Sequence, residues 1–226
     1  MRLVRHTLPD LQSVCELGCG TGTGAIEFAR QGLRVFAVDL SPTMLRMARQ
    51  KIHRARVPIL LIHADMRSFR LPQAVDLVSA EWGVVNHVPR AADLVLVARA
   101  VARALRPGGY FVFDVNHRSV FDSSPSPYIQ ESSNFFLLWD VGWDPRSRKG
   151  WRKMTWFMPQ RAGRWKRYDE KVEQVIWSLA EIRRTLRRGG FDRIRTLDYG
   201  VLTSGAGRFR KPKGYKTLVL ARKKPL

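Results

Sequence analysis

Apolar residues in this chain come in short unbroken runs that alternate with stretches of helical spacing. Val14-Cys15 leads into the glycine-dense turn Glu16-Leu17-Gly18-Cys19-Gly20-Thr21-Gly22, and Ala25-Ile26-Glu27-Phe28-Ala29 leaves it. This order predicts strand, tight loop and helix, with backbone N–H groups aimed at whatever lies over the helix N-terminus. Leu33 to Val38, Ile59 to Ile62, Val75 to Ala80 and Tyr110 to Asp114 predict four more strands. Between them, Ser41-Pro42 supplies an N-cap and an N1 proline for a helix through about His53, with Met44, Ala48 and Ile52 on one face. From Ala91, the positions Leu94, Val97, Ala98, Val101 and Leu105 keep helical spacing until Pro107-Gly108 stops it. Alternation of this kind builds a mostly parallel sheet covered by helices, with ligands at the carboxyl ends of its strands. Glu16 to Gly22, Asp39, Asp65, Glu81 and Asp114 all fall at such ends.

The alternation breaks after Asn116. Ser119 to Pro127 is rich in Ser and Pro, and three segments with aromatic and β-branched residues follow: Phe135 to Val141, Trp151 to Met158 and Arg167 to Ile176. They predict an antiparallel meander, residues 119–176, inserted into a single domain that spans residues 1–226. Its Trp139, Trp143, Trp151, Trp156 and Trp165 are candidates to wall an acceptor pocket, although most are expected to be buried. Tyr128 and Trp139 lie nearest in sequence to the proposed active edge. Ser178-Leu179-Ala180-Glu181 is a capping box opening a helix that ends at Gly189-Gly190. Ile194 to Leu197 and Thr217 to Ala221 are the last predicted strands.

The turn alone fits two chemistries, because Gly20-x-Gly22-x-x-Ala25 also satisfies the dinucleotide fingerprint. The remaining motifs decide between them. Glu16 stands two residues before the first glycine, Asp39 closes the second strand, Asp65-Met66 closes the third, and Leu105-Arg106-Pro107-Gly108-Gly109 precedes the fifth. In this order they resemble the class I S-adenosylmethionine (SAM) dependent methyltransferases, from about Ser13 to the C-terminus.

That resemblance implies a Rossmann-like α/β sandwich with a seven-stranded, mostly parallel sheet whose last strand is antiparallel, and SAM as cofactor. It also implies the contacts. Gly18, Cys19 and Gly20 would let the backbone approach the methionine portion, with Glu16 nearby. Asp39 would take the ribose hydroxyls, Leu40 and Met44 would flank the adenine, Asp65 would accept its amino group, and the Met66 N–H would serve its ring nitrogen. Glu81 and Trp82 begin the segment Glu81-Trp82-Gly83-Val84-Val85-Asn86-His87, which would close over the donor. Asn86-His87 and Phe113-Asp114-Val115-Asn116 look like a subgroup acting on small molecules, which carries a strand insertion before the last helix. That subgroup often has Asp-Ser where this chain has Gly83-Val84. His87 and His117 are the candidate bases or acceptor-orienting groups, with Asp114 or Asn116 as orienter. Relatives of this type commonly begin with helices that fold over the donor; only Met1 to Gln12 precede the first strand here, so the true start is expected upstream.

Composition adds four points. A 226-residue chain that is 45% hydrophobic can bury a full core. No stretch is long and apolar enough to span a bilayer, and Met1 to Gln12 hold no secretory segment, so a cytoplasmic protein is expected. Cys15 and Cys19 are too few for a disulfide framework and lack the partners for a metal site. The net charge of +21 is uneven: Met1 to Asp144 carries 16 Lys and Arg against 13 Asp and Glu, and the remainder carries 24 against 6. A basic second part is a possible footprint for nucleic acid, but no RNA-binding motif accompanies it. The expected activity is therefore methyl transfer to an N or O nucleophile of a small-molecule acceptor. An RNA methyltransferase, a nicotinamide-dependent oxidoreductase and a non-catalytic SAM-binding protein are the alternatives.

Overall fold

The computed structural model describes residues 11–122, 127–198 and 214–225. Its contacts divide the chain into two units: Met1–Val115 with Ser178–Leu197 and Leu218–Leu226, and Asn116–Trp177 with Asp198–Thr217.

The first unit is built on a seven-stranded sheet. Its strands are β1 (Ser13–Leu17), β2 (Arg34–Asp39), β3 (Ile59–His63), β4 (Val75–Ala80), β5 (Leu105–Asn116), β10 (Phe191–Asp198) and β11 (Lys216–Lys223), in the order β10-β11-β5-β4-β1-β2-β3. The pairs β1–β2, β1–β4, β2–β3 and β4–β5 are parallel. The last strands run antiparallel, as the resemblance implies. All residues of β1 and β4 are buried, which is why they appear in the sequence as unbroken runs rather than alternations.

Helix α1 (Thr23–Arg30) starts from Gly22 in the left-handed region with no side-chain cap. Helix α2 (Pro42–Ala55) is capped by Ser41, whose hydroxyl accepts the Met44 N–H at 3.3 Å. Its buried face is Leu45 and Ala48, whereas Met44 is 40% exposed. This corrects the expected face: Met44 is about 100° round the helix from Leu45, far enough to leave the core. Helix α3 (Ala91–Ala104) ends one residue earlier than its spacing predicts, because Leu105 already pairs with Val75 as the first residue of β5. Pro107-Gly108 therefore lies inside a strand, beside a register shift between Val75 and Leu77.

The second unit contains the four-stranded sheet β6-β7-β8-β9, with ranges Tyr128–Ser132, Phe135–Asp144, Lys149–Pro159 and Trp165–Val175. All its pairings are antiparallel. Strand β6 was not predicted, since its five residues are short and mixed in polarity. Helix α4 (Ser119–Asp122) precedes the sheet, and the Phe121 ring occupies the space over Gly150 that a side chain there would fill. None of the five meander tryptophans is buried, against expectation, and Trp165 is 53% exposed. Instead the aromatics pair across strands: Tyr128 with Trp139 at 5.4 Å between centroids, and Phe135 with Trp156 at 5.6 Å. Helix α5 (Leu179–Arg188) belongs to the first unit and carries the predicted capping box: Glu181 N–H donates to the Ser178 hydroxyl, and Ser178 N–H to the Glu181 carboxylate.

Candidate functional site

At the carboxyl ends of β1 and β4 the chain turns through conformations open mainly to glycine. Gly18, Gly20 and Gly22 have φ of 62°, 53° and 77°. A Cβ on Gly18 would sit 2.6 Å from the Val84 side chain, so glycine is required there for packing as well as for conformation. A Cβ on Gly20 would meet nothing within 4 Å, which leaves open space above the turn.

Carboxylates hold this turn in place. The Gly20 N–H donates to Asp39 Oδ2 at 2.7 Å and the Ser41 N–H to Asp39 Oδ1 at 2.8 Å. Asp39 thus ties the glycine turn to the start of α2, and each of its oxygens keeps a second lone pair for a ligand. The side chains just after it, Leu40 and Met44, are 64% and 40% exposed. Lys51 clasps the turn from α2 through the Thr21 and Thr23 hydroxyls.

Glu16 is the most perturbed acid of the group. It is about nine-tenths buried, its carboxylate receives the Ala25 N–H from the first turn of α1, and its Oε2 has no hydrogen-bond partner among the described residues. Burial, and then the nearby charges of Glu81 and Asp39, push its pKa up to about 8. The Cys19 thiol beside it is pushed up to about 12, and Cys15 is raised as well, chiefly by burial; neither is a ready nucleophile. Glu81 receives the Ser79 hydroxyl at 3.3 Å. Trp82, 74% exposed, has a φ of 68°, a conformation that costs a non-glycine residue about 1–3 kcal/mol.

Asp65 lies beyond β3, where the Ala64 N–H donates to the Asp39 carbonyl at 3.2 Å. Its carboxylate is chelated by Arg67, Nε at 2.9 and 3.0 Å and Nη2 at 2.5 Å, which holds it well below the usual carboxylate range. Arg67 also lies 3.8 Å from buried Asp93 of α3. The adenine-amino role expected for Asp65 therefore has a competing partner, and Met66 is half-buried beside it.

The four candidates for acceptor chemistry divide between the two units. Asp114 is buried and accepts the Gly83 N–H at 3.0 Å, fixing the segment that carries Trp82. His87 is exposed at the end of the 3-10 turn Val84–His87. In the second unit, the Asn116 amide donates to Gln174 Oε1 at 2.9 Å, and His117 Nε2 lies 2.7 Å from the Thr217 hydroxyl. Burial pushes the His117 pKa down, which favours the neutral imidazole. Sequence reasoning did not bring out Arg67, which stood one residue beyond a recognised motif. It named Val84 only as a departure from the subgroup's Asp-Ser, and the packing of Val84 over Gly18 gave no signal short of the fold.

Glu16, Asp39, Glu81 and the glycine turn share one end of the sheet, and this acidic, glycine-lined arrangement suits a ligand with positive charge and hydrogen-bond donors. Residues 14–109 match the family described as a methyltransferase domain. A putative methyltransferase of Bacillus subtilis, YqeM, is 27% identical over 191 residues, covering 83% of this chain and 76% of the relative. A dTDP-4-amino-2,3,4,6-tetradeoxy-D-glucose N,N-dimethyltransferase of Saccharopolyspora spinosa is 33% identical over 115 residues, 50% of this chain and 44% of the relative. Among solved structures, an S-adenosylmethionine-dependent methyltransferase of Clostridium acetobutylicum shares the fold with a TM-score of 0.82, at 19% identity over 99% of this chain and 89% of that one.

Proposed function

We propose that this chain, a class I SAM-dependent methyltransferase, methylates a nitrogen or oxygen nucleophile of a small-molecule acceptor. SAM, its cofactor, supplies when bound a methyl carbon made electrophilic by the adjoining sulfonium. The residues fit it: the open space over Gly20, the unpartnered Oε2 of Glu16 and the exposed apolar pair Leu40 and Met44 suit its backbone, ammonium and adenine. In this reading Glu16, Gly18, Cys19, Gly20 and Glu81 hold the methionine portion, Asp39 the ribose, and Leu40, Met44, Asp65 and Met66 the adenine. Trp82 shields the reacting carbon from water.

For the acceptor, the exposed imidazole of His87, on the turn that follows β4, is the group this reading assigns to orient the nucleophile or take its proton. Asp114 positions that segment through Gly83. His117 and Asn116, engaged with Thr217 and Gln174, act as structural orienters. We take residues 119–176 as an insertion within one methyltransferase domain. The aminosugar acceptor named for the Saccharopolyspora relative supports the small-molecule assignment. Two unpaired, buried thiols agree with a cytoplasmic site of action.

RNA is the second reading, carried by the charge of the second part and by exposed Arg183, Arg184, Arg187 and Arg188 on α5. The further basic positions Arg208, Arg210, Lys211 and Lys213, like Met1 to Asp10, lie outside the described residues. Screening metabolite and RNA pools with methyl-labelled SAM tests the assignment. Label in a small N- or O-methylated product is expected; efficient labelling of a defined RNA at physiological salt would overturn it, since nonspecific phosphate contacts weaken steeply with salt.

A further inference from the structure

Glu16 presents a problem that the donor site does not by itself resolve. Its carboxylate ends β1 with one oxygen buried and unpartnered. The charged groups that act on it are Glu81, just after β4, and Asp39, at the end of β2, both acidic. Cys15 on its own strand and Cys19 in the turn present neutral thiols, and α1 offers only the Ala25 N–H. Among the described residues no lysine or arginine joins them; Lys51, the cation that clasps the turn, is bonded to Thr21 and Thr23. No cation among the described residues balances these acids, and the buried carboxylate with an unpartnered oxygen is the one whose ionised form is least supported, so a proton is held there at least cost.

We propose that Glu16 is a proton-exchanging counter-ion for the donor: the free protein holds a proton on it, and binding of cationic SAM expels that proton to solvent. This rests on the donor site as assigned above. SAM carries an ammonium and a sulfonium, whereas the product S-adenosylhomocysteine keeps only the ammonium, so the donor drives the proton off more completely. Glu16 is thus a specificity-determining residue that favours donor over product, and more so as pH rises toward 8.

Calorimetry of SAM, sinefungin (a donor analogue with a charged amine in place of the sulfonium) and S-adenosylhomocysteine, in buffers of different ionisation enthalpy, measures the proton directly and needs no turnover. More than about half a proton per site should be released at pH 7 with SAM and sinefungin, and less with the product. SAM affinity should tighten between pH 6 and 8, by at most about tenfold per pH unit. Glu16→Gln should abolish the release and flatten the pH dependence. Glu81→Gln, which leaves Glu16 in place but removes the stronger of the two repulsive charges, should reduce the release, and it decides the matter if the first variant fails to fold. Tight SAM binding without proton release, or release that persists in Glu16→Gln, would overturn the inference while leaving the donor site standing. Failure of SAM to bind, or undiminished binding in Asp39→Ala, would overturn the donor site itself.

Discussion

Asp76 and Glu16 are both buried carboxylates on neighbouring strands of one parallel sheet, and the fold treats them in opposite ways. Asp76, at the amino end of β4, is saturated: its Oδ2 receives the N–H groups of Gln12 and Ser13 and the Ser13 hydroxyl at 2.8–3.0 Å, and its Oδ1 meets Arg106 Nε at 2.8 Å. Glu16, at the carboxyl end of β1, has one backbone donor, two acidic neighbours and an oxygen with no partner. A buried charge is tolerated only when hydrogen-bonded and paired. The amino end satisfies that condition within the chain and serves stability. At the carboxyl end the condition is not met among the described residues, and in the proposed reading a ligand meets it.

This contrast has consequences of graded size. Asp76→Ala, which strands the Ser13 N–H and hydroxyl, should lower unfolding free energy by about 3–5 kcal/mol in urea titration, as removal of one member of a buried charged network does; a loss within experimental error would erase the distinction between the two ends. Asp39→Ala, at the other end, should weaken SAM binding by about 1.5–3 kcal/mol, the size of charged hydrogen bonds, as read by calorimetry, and NAD should not bind to either protein. Arg106→Ala sharpens the comparison further. That arginine is half-exposed, so its loss should cost only about 0–1 kcal/mol in the same urea titration, placing the value of Asp76 in its backbone bonds rather than in its ion pair.

The two ends also differ in pH response, and the sign follows from the direction of the shift. Glu16 in the folded chain holds its proton up to about 8, against an ordinary value of 4.5. Between those values the unfolded chain binds fewer protons at this position, so ionisation there costs the ligand-free protein stability as pH rises. The cost is in place by about pH 8 and changes little above it. In the proposed reading donor binding relieves it, so that an acid unfavourable to the empty fold contributes to the loaded one.

Much of this was legible in the chain because it depends on neighbours in sequence. Gly18, Gly20 and Gly22 announce positive φ by lacking a Cβ, Ser178 and Glu181 announce a helix start because both halves of the capping box lie within one turn, and the apolar runs of β1 and β4 announce strands covered on both faces. The positions of Glu16, Asp39, Asp65 and Glu81 at the carboxyl ends of their strands followed from the same runs. Other features were decided only by tertiary structure. The Ser13–Asp76 bonds join residues 63 apart, Val84 fills the space over Gly18, Arg67 claims the Asp65 carboxylate, and β11 enters the sheet between β10 and β5. The meander tryptophans stayed partly exposed although their composition predicts a core. The physical reason is common to all five: a backbone conformation is set by the residue that adopts it, whereas a side chain's partner and burial are set by which distant segments the fold brings beside it.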